Sequence, residues 1–200
     1  LFWTITNEVQ CSRKAILPRS DHVIIMINGA FGSGKTSTAQ LLQPLIANSM
    51  IFDPEDIGLM TWKIAPKEVR HTHEQTDDFQ DMELWKTLTV NVAGEVKKKY
   101  QKHLIVPMTL YKEENFNYIY NGFKELDEEL YHFCLIASED TIYNRLVKRG
   151  DKVGGWSFQR TATCVEAFRR EIYQEHLITD HLKTTEIVDL ILKRLNNNYG

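Results

Sequence analysis

Residues 29–36 form the pattern G-x-x-x-x-G-K-T, which restricts the possible fold more than any other part of the chain. This pattern is informative where a buried strand leads into it and a helix follows it. Both neighbours have the required character: residues 23–27 are a short apolar run rich in β-branched residues, and residues 36–42 contain no helix breaker. Pro44 is expected to kink or end that helix. The sequence therefore predicts a strand, a phosphate-binding loop and a helix in succession.

The residue types in this loop suit a polyphosphate ligand. Glycines let backbone N–H groups approach phosphate oxygens without obstruction, and the N-terminus of the next helix adds partial positive charge. Lys35 supplies a mobile cation for the phosphates. The hydroxyl of Thr36 suits the Mg²⁺ that accompanies a nucleoside triphosphate. We therefore predict that the chain binds a nucleotide together with Mg²⁺.

Composition excludes several other classes of protein. A chain of 200 residues suits one domain with a single core, or one domain with a small lid. The formal net charge of −3, with both signs interspersed, gives no reason to expect nucleic acid as a partner. The three cysteines, at positions 11, 134 and 164, are odd in number and widely spaced. They indicate reduced thiols in a cytoplasmic protein, without a zinc pattern or a disulfide framework. No apolar stretch approaches the length needed to span a bilayer.

The domain organisation is predicted from where the first strand begins. Residues 1–22 precede it, and charged residues interrupt any signal-peptide core. We interpret them as an N-terminal appendage, in which residues 2–6 are compatible with an extra edge strand. Residues 23–200 are expected to form the nucleotide-binding domain, with a lid at about residues 150–163.

The rest of the chain alternates strands and helices. Further strands are predicted at residues 49–53, 104–108, 131–137 and 176–179. Because such alternation follows a phosphate loop, it predicts an α/β fold in which a five-stranded parallel sheet is sandwiched by helices.

Three of the predicted helices have recognisable faces or ends. A helix capped by Ser138 is expected to end at Gly150. The last helix is predicted from about Glu186, with Ile187, Leu190 and Ile191 facing inward. In a long helix before the third strand, apolar residues recur at three- and four-residue spacing and predict core packing: Met82, Trp85, Leu88, Val92, Val96 and Tyr100.

Two arginines follow the fourth strand. Arg145 and Arg149 are four residues apart, hence on one helical face, and Arg149 leads into the glycine-rich segment 150–156. An arginine pair beside a mobile loop suits clamping a transferring phosphoryl group, because guanidinium binds phosphate oxygens in bidentate fashion. The alternative is that both are solvated helix residues. Arg160 is a third candidate further along the predicted lid.

Asp53 is the candidate carboxylate. It ends the second predicted strand, and the carboxyl ends of parallel strands line the ligand crevice. There it could hold Mg²⁺ through water or accept the proton of an acceptor hydroxyl. The alternative is a turn with Pro54 that caps the next helix. The strand at residues 104–108 ends without a carboxylate, which argues against a motor-type ATPase, and the guanine-selective motif of GTPases is missing.

Two other polar groups are interpreted structurally. Asp77 and Asp78 are expected to cap the long helix rather than bind a metal. Residues 71–74, His-Thr-His-Glu, have no partner cluster in the sequence and are expected to form a solvated loop.

Ordered segments of the chain resemble the tunicamycin-resistance (TmrB-like) family of small ATP-binding proteins. The discriminating segments are Phe-Asp-Pro-Glu at residues 52–55 and Ile-Val-Pro-Met-Thr at residues 105–109. Other matching segments are residues 27–36, 77–80, 84–85, 135–138, 145–146, 164–166 and 178–180. Together they cover about residues 23–195.

The resemblance implies a P-loop NTPase fold of the nucleoside-monophosphate and shikimate kinase type, ATP binding and a role in antibiotic resistance. Members of the family continue into a basic amphipathic tail that could touch membranes, whereas this chain stops near Asn198, so membrane association is not carried over. Two functions remain open: an ATP-dependent phosphotransferase acting on a small hydroxylated acceptor, such as a nucleoside-type antibiotic, and a protein that uses ATP to sequester the drug.

The candidate residues fall into three groups. The catalytic candidates are Lys35, Asp53 and Arg149, and the metal candidates are Thr36 and Asp53. The candidates for binding the nucleotide are Gly29, Ala30, Phe31, Gly32, Ser33, Gly34, Lys35, Thr36, Ser37, Arg145 and Arg149.

Overall fold

The computed structural model describes residues 22–197, and its elements follow the alternation of the sequence. The strands are β1 (Ile24–Gly29), β2 (Ser49–Ile51), β3 (His103–Pro107), β4 (Tyr131–Ile136) and β5 (His176–Ile178). The α-helices are α1 (Lys35–Leu42), α2 (Pro54–Ile64), α3 (Glu83–Tyr100), α4 (Glu113–Leu126), α5 (Glu139–Arg149), α6 (Trp156–Phe168) and α7 (Thr184–Asn197). The appendage before His22, with its predicted edge strand and Cys11, lies outside the described residues.

All five strands form one parallel sheet in the order β2-β3-β1-β4-β5, which confirms the predicted fold. Strand β1 is central, with β3 on one side and β4 on the other. The carboxyl ends of the strands therefore meet at one edge of the sheet, and the phosphate loop lies in the middle of that edge because it directly follows β1.

Helices cover both faces of the sheet because the side chains of a buried strand alternate between them. Ile24 and Met26 pack into the larger core, which helices α2 to α6 complete. Val23, Ile25 and Ile27 pack on the opposite face against α1 and α7. No helix within residues 22–197 is both long enough and apolar enough to cross a bilayer.

The predicted helix faces are wrong at two positions. Tyr100 is the last residue of α3 and is 58% exposed, because a periodic pattern does not reveal where along a helix the covering layer ends. Leu190 is 40% exposed, since it lies on the side of α7 away from the stripe that packs on the sheet. That stripe consists of Ile187, Val188, Ile191, Leu192 and Leu195.

The predicted helix ends are mostly confirmed. Helix α1 ends at Leu42, and Pro44 lies in the 3₁₀ turn that follows. The Ser138 hydroxyl caps α5, and Gly150 ends that helix with a positive φ of 91°. The cap predicted for the long helix is wrong: α3 follows Met82 without a side-chain cap. Asp78 instead caps the preceding 3₁₀ turn, Phe79–Asp81, by accepting a hydrogen bond from the Gln80 N–H at 2.9 Å.

Candidate active site

The phosphate loop passes so close to strand β4 that its first glycine has no room for a side chain. Gly29 has a φ of +144°, and a Cβ there would lie 2.6 Å from the Leu135 carbonyl oxygen and 2.7 Å from the Ser33 hydroxyl oxygen. Gly34 has a φ of +101° and directly precedes α1. Glycine is therefore favoured at both positions by backbone conformation, and at Gly29 also by the contact with β4, not only by access to a ligand.

Gly29→Ala is expected to lower the free energy of unfolding by about 2–4 kcal/mol, because it combines a steric overlap with a strained φ. Gly150→Ala is the matched control, since Gly150 also has a positive φ (+91°) but a Cβ there would contact nothing within 4 Å. Gly150→Ala should lower the free energy of unfolding by only about 1 kcal/mol. Urea denaturation of both variants measures the difference, and equal losses would show that the contact with β4 contributes nothing.

The loop presents polar groups that have no partner among the residues that the structure describes. The first N–H groups of α1, including those of Lys35, Thr36 and Ser37, precede the residues that can bond within the helix. The Ser33 hydroxyl is buried and has no hydrogen-bond partner within residues 22–197. Since buried polar groups are normally paired, these donors fit a polyphosphate ligand in the loop. The side chains of Thr36 and Ser37 are exposed beside it.

Lys35 lies folded against its own loop. Its ammonium group donates a hydrogen bond to the Ala30 carbonyl oxygen at 2.8 Å and lies 5.8 Å from the centre of the Phe31 ring. Desolvation among the surrounding protein atoms lowers the pKa of Lys35 to about 8. A bound anion would offset this loss of hydration, so Lys35 suits a ligand that carries negative charge.

ATP affinity is expected to fall as the pH rises above about 8. A bound triphosphate stabilises the charged ammonium, so the pKa of Lys35 is higher in the complex than in the free protein, where it is about 8. Binding then takes up a proton above this pH, and affinity falls by up to about tenfold per pH unit. Below it the lysine is charged in both states, and this contribution is constant. Calorimetric titrations between about pH 7 and pH 9 measure the slope, which should disappear in Lys35→Ala.

Asp53 lies beside the loop but not in strand β2, which ends two residues before it. It is the N-cap of α2, and its Oδ1 accepts a hydrogen bond from the Glu55 N–H at 2.9 Å. The capping role that the sequence left open is therefore observed. Burial raises the pKa of Asp53 and the pKa of Glu55. The negative charge of Asp53 raises the pKa of Glu55 further. The positive charge of Lys35 lowers the pKa of both carboxyl groups. Both carboxyl groups are therefore close enough to the phosphate loop to interact electrostatically with its lysine.

Arg145 bridges the phosphate loop and the segment after β5. Its guanidinium donates to the Thr179 carbonyl oxygen at 2.6 Å, to the Thr179 hydroxyl at 3.3 Å and to the Ser33 carbonyl oxygen at 3.4 Å. These contacts hold the loop backbone and the end of the sheet together, so Arg145 is anchored at the loop rather than extended into solvent.

Arg149 is more exposed and is held by the start of the glycine-rich segment. It makes a bidentate ion pair with Asp151, with distances of 2.7 Å and 2.5 Å, and this hydrogen bonding raises the pKa of Arg149. The positive charge of Arg149 also lowers the pKa of Lys35 and the pKa of Glu55. Arg149 therefore acts electrostatically on the loop lysine, while its described hydrogen bonds go to Asp151.

The structure also contains a polar cluster next to the phosphate loop. The sequence alone did not predict that its residues lie together. We call it the acceptor-side cluster: Asp77, Asp78, Asp81, Tyr111, Lys112 and Arg160. Its members come from the segment before α3, the β3–α4 connection and α6. Asp78 is only 2% exposed. The sequence offered one signal, since residues 77–80 belong to the segments that resemble the tunicamycin-resistance family, but that signal named no contact.

The parallel sheet, the glycine-rich loop after its central strand and the lysine in that loop define a kinase-like nucleotide-binding protein. The chain belongs to the AAA domain family, whose model matches residues 25–182. A comparison with curated proteins gives no significant match.

Solved structures agree with this class. The tunicamycin resistance protein of Deinococcus radiodurans is 26% identical, with a TM-score of 0.69 over 86% of this chain and 94% of that one. The predicted resemblance is thereby confirmed. A gluconokinase from Sinorhizobium meliloti 1021 is 19% identical, with a TM-score of 0.58 over 90% and 97% of the two chains. A shikimate kinase from Acinetobacter baumannii is 14% identical, with a TM-score of 0.57 over 88% and 94%. The two kinases show a shared fold.

Proposed function

We propose that the protein is an ATP-dependent phosphotransferase that modifies a small hydroxylated acceptor, such as a nucleoside-type antibiotic. The observation that carries this proposal is the placement of Asp53 and Glu55 within electrostatic reach of Lys35, at the edge of the sheet where the phosphate loop lies. A carboxylate beside the phosphates can orient and deprotonate an acceptor hydroxyl during phosphoryl transfer. The likeness to the tunicamycin resistance protein supports a drug as the acceptor.

The nucleotide would be held by the loop from Gly29 to Ser37. The buried Ser33 hydroxyl, which has no hydrogen-bond partner within residues 22–197, fits a triphosphate ligand. Lys35 would exchange the Ala30 carbonyl oxygen for phosphate oxygens. The Thr36 hydroxyl would hold Mg²⁺, and the Asp53 carboxylate would hold it through a water molecule, so that the carboxylate keeps its basicity; Mg²⁺ neutralises charge on the phosphates when bound.

Two residues would act on the transferring group and the acceptor. Asp53 would accept the proton of the acceptor hydroxyl, and burial assists this role because it raises the pKa of the carboxyl group. Arg149 would stabilise the charge that develops on the transferring phosphoryl group. Arg145 would bind the nucleotide from the loop side. In this proposal residues 23–200 form the catalytic domain, and residues 150–163 act as a lid that excludes water.

One observation favours a second function, sequestration of the drug without phosphoryl transfer. Strand β3 ends at Pro107 and continues into Met108 and Thr109, so the position beside the loop that often carries a magnesium-binding carboxylate does not have one. A protein that only binds ATP and drug does not have to stabilise the charge that develops during phosphoryl transfer, so it depends less on a second Mg²⁺ ligand.

Mass spectrometry separates the two functions. Purified protein is incubated with Mg²⁺-ATP and tunicamycin, and the drug is examined for the added mass of one phosphoryl group. A phosphorylated drug together with ADP supports the phosphotransferase. Drug that is bound in an ATP-dependent manner but recovered unchanged supports sequestration. Lys35→Ala serves as the control for both outcomes.

A further inference from the structure

The acceptor-side cluster is connected to the phosphate loop by a continuous row of contacts. The ring of Phe31, within the loop, packs edge-on against Trp156, with 4.8 Å between ring centres. The guanidinium of Arg160, one helical turn further along α6, lies 5.0 Å from the centre of the Trp156 ring. Arg160 in turn donates a hydrogen bond to the Tyr111 hydroxyl at 3.2 Å. The cluster therefore lies next to the phosphate loop.

Both cations of this cluster are already paired with carboxylates. Arg160 pairs with Asp77 at 3.2 Å. The Lys112 ammonium pairs with Asp78 at 3.1 Å and also with Asp81. Three carboxylates against two cations leave the cluster with excess negative charge. An acceptor that carries a carboxylate or a phosphate would meet this excess, whereas a neutral acceptor would not.

The same groups retain capacity to bind hydroxyls. The Tyr111 hydroxyl accepts from Arg160 and can donate to Asp78 at 3.3 Å, and burial raises its pKa, so it stays protonated. A guanidinium has five N–H donors, and Arg160 directs its two terminal nitrogens to Tyr111 and Asp77. Gln80, in the adjoining 3₁₀ turn, is 6% exposed, and its Oε1 has no hydrogen-bond partner in the described part of the chain. Neutral hydroxyl groups can both donate to and accept from such a set.

We propose that Tyr111 and Arg160 recognise the acceptor, with the buried Asp78 positioning the Tyr111 hydroxyl, and that this acceptor is an uncharged, hydroxyl-bearing compound rather than a carboxylic acid or a phosphate ester. The proposal rests on the proposed function, because it concerns the second substrate of that reaction. It makes the pairing of Arg160 with Asp77 a determinant of specificity: the carboxylate cancels the charge that would otherwise attract an anionic acceptor.

The test compares probes that differ in one charged group. Uridine is compared with uridine 5′-monophosphate, and methyl shikimate with shikimate. Binding to the full chain is measured by NMR with Mg²⁺ and a non-hydrolysable ATP analogue present, at probe concentrations up to about 1 mM. Because binding is measured without turnover, it can succeed even where a parallel assay for phosphorylated product fails. A failure of the proposed function and a failure of this inference are therefore distinguishable.

We expect the neutral member of a pair to bind at least about tenfold more tightly. Tyr111→Phe should weaken uridine binding about fivefold while ATP binding is unchanged. The matched control is Tyr118→Phe, which removes a hydroxyl that contacts Thr87. Equal or tighter binding of the charged members, binding of no probe at all, or an unchanged affinity in Tyr111→Phe would each overturn the proposal.

Asp77→Asn tests the specificity determinant directly. Asp77 is exposed, so its loss should leave the fold intact while it frees the charge of Arg160. We expect the ratio of the affinities for uridine and uridine 5′-monophosphate to fall severalfold. The control is Glu113→Gln, which removes the same charge from the exposed ion pair with Arg170. An affinity ratio that is unchanged in Asp77→Asn, or that falls equally in the control, would contradict the role of the Arg160–Asp77 pair in specificity.

Discussion

Lys35→Ala is expected to lose about 30- to 1,000-fold in ATP affinity, on the order of 2–4 kcal/mol, while its fold is unchanged. Within residues 22–197 the lysine makes one hydrogen bond, to the Ala30 carbonyl oxygen, and desolvation already lowers its pKa to about 8. The ammonium group therefore contributes little to the stability of the free protein, whereas it would make a charge-assisted contact with a bound triphosphate. Isothermal calorimetry measures the affinity, and circular dichroism with a thermal melt checks the fold.

The matched control is Lys63→Ala, which removes an exposed lysine from the last turn of α2. It should bind ATP as the parent protein does, which separates the position of Lys35 from a general loss of positive charge. A folded Lys35→Ala protein with the parent's affinity would contradict the assignment of residues 29–36 to nucleotide binding.

Asp53→Asn is expected to retain ATP binding but to lose about 10²–10⁴-fold in turnover. Asparagine caps a helix as well as aspartate does, so it preserves the hydrogen bond from the Glu55 N–H that begins α2. The amide nevertheless can neither take a proton nor balance the charge of Mg²⁺. The substitution thus isolates the charge of Asp53 from its structural role. Initial rates of ADP and product formation, with calorimetric ATP affinities, measure the effect.

Two further variants sharpen this experiment. Asp56→Asn, in the same first turn of α2, should leave turnover close to that of the parent. Arg149→Ala should reduce kcat more than ATP affinity, because the arginine stands beside the loop and would act on charge that develops during transfer. If the protein only sequesters drug, neither Asp53→Asn nor Arg149→Ala should affect resistance in cells unless it disturbs ligand binding. Full resistance from a folded Asp53→Asn protein would exclude the catalytic role of Asp53.

The sequence determined the fold because its signals are local. A β-branched strand, a glycine-rich loop and an unbroken helix follow one another between Val23 and Leu42, and the alternation that follows allows few topologies. The caps at Ser138 and Gly150 were also readable, since each depends on a few consecutive residues. The error at Leu190 arose because spacing alone does not state which side of an amphipathic helix packs on a sheet.

The tertiary structure decided how the candidate residues relate to one another. Asp53 could be named from its neighbours, but its capping bond and its relation to Lys35 depend on where α2 lies against the loop. The contacts of the acceptor-side cluster could not be predicted, although Arg160 and the segment with Asp77 and Asp78 were singled out in the sequence. Asp78, Tyr111 and Arg160 are separated by tens of residues, and they meet only because the strand order places the end of β3 beside β1 while α6 packs over the same edge. Hydrogen bonds between side chains so far apart leave no periodic trace in a sequence, because they depend on packing between elements rather than on spacing within one.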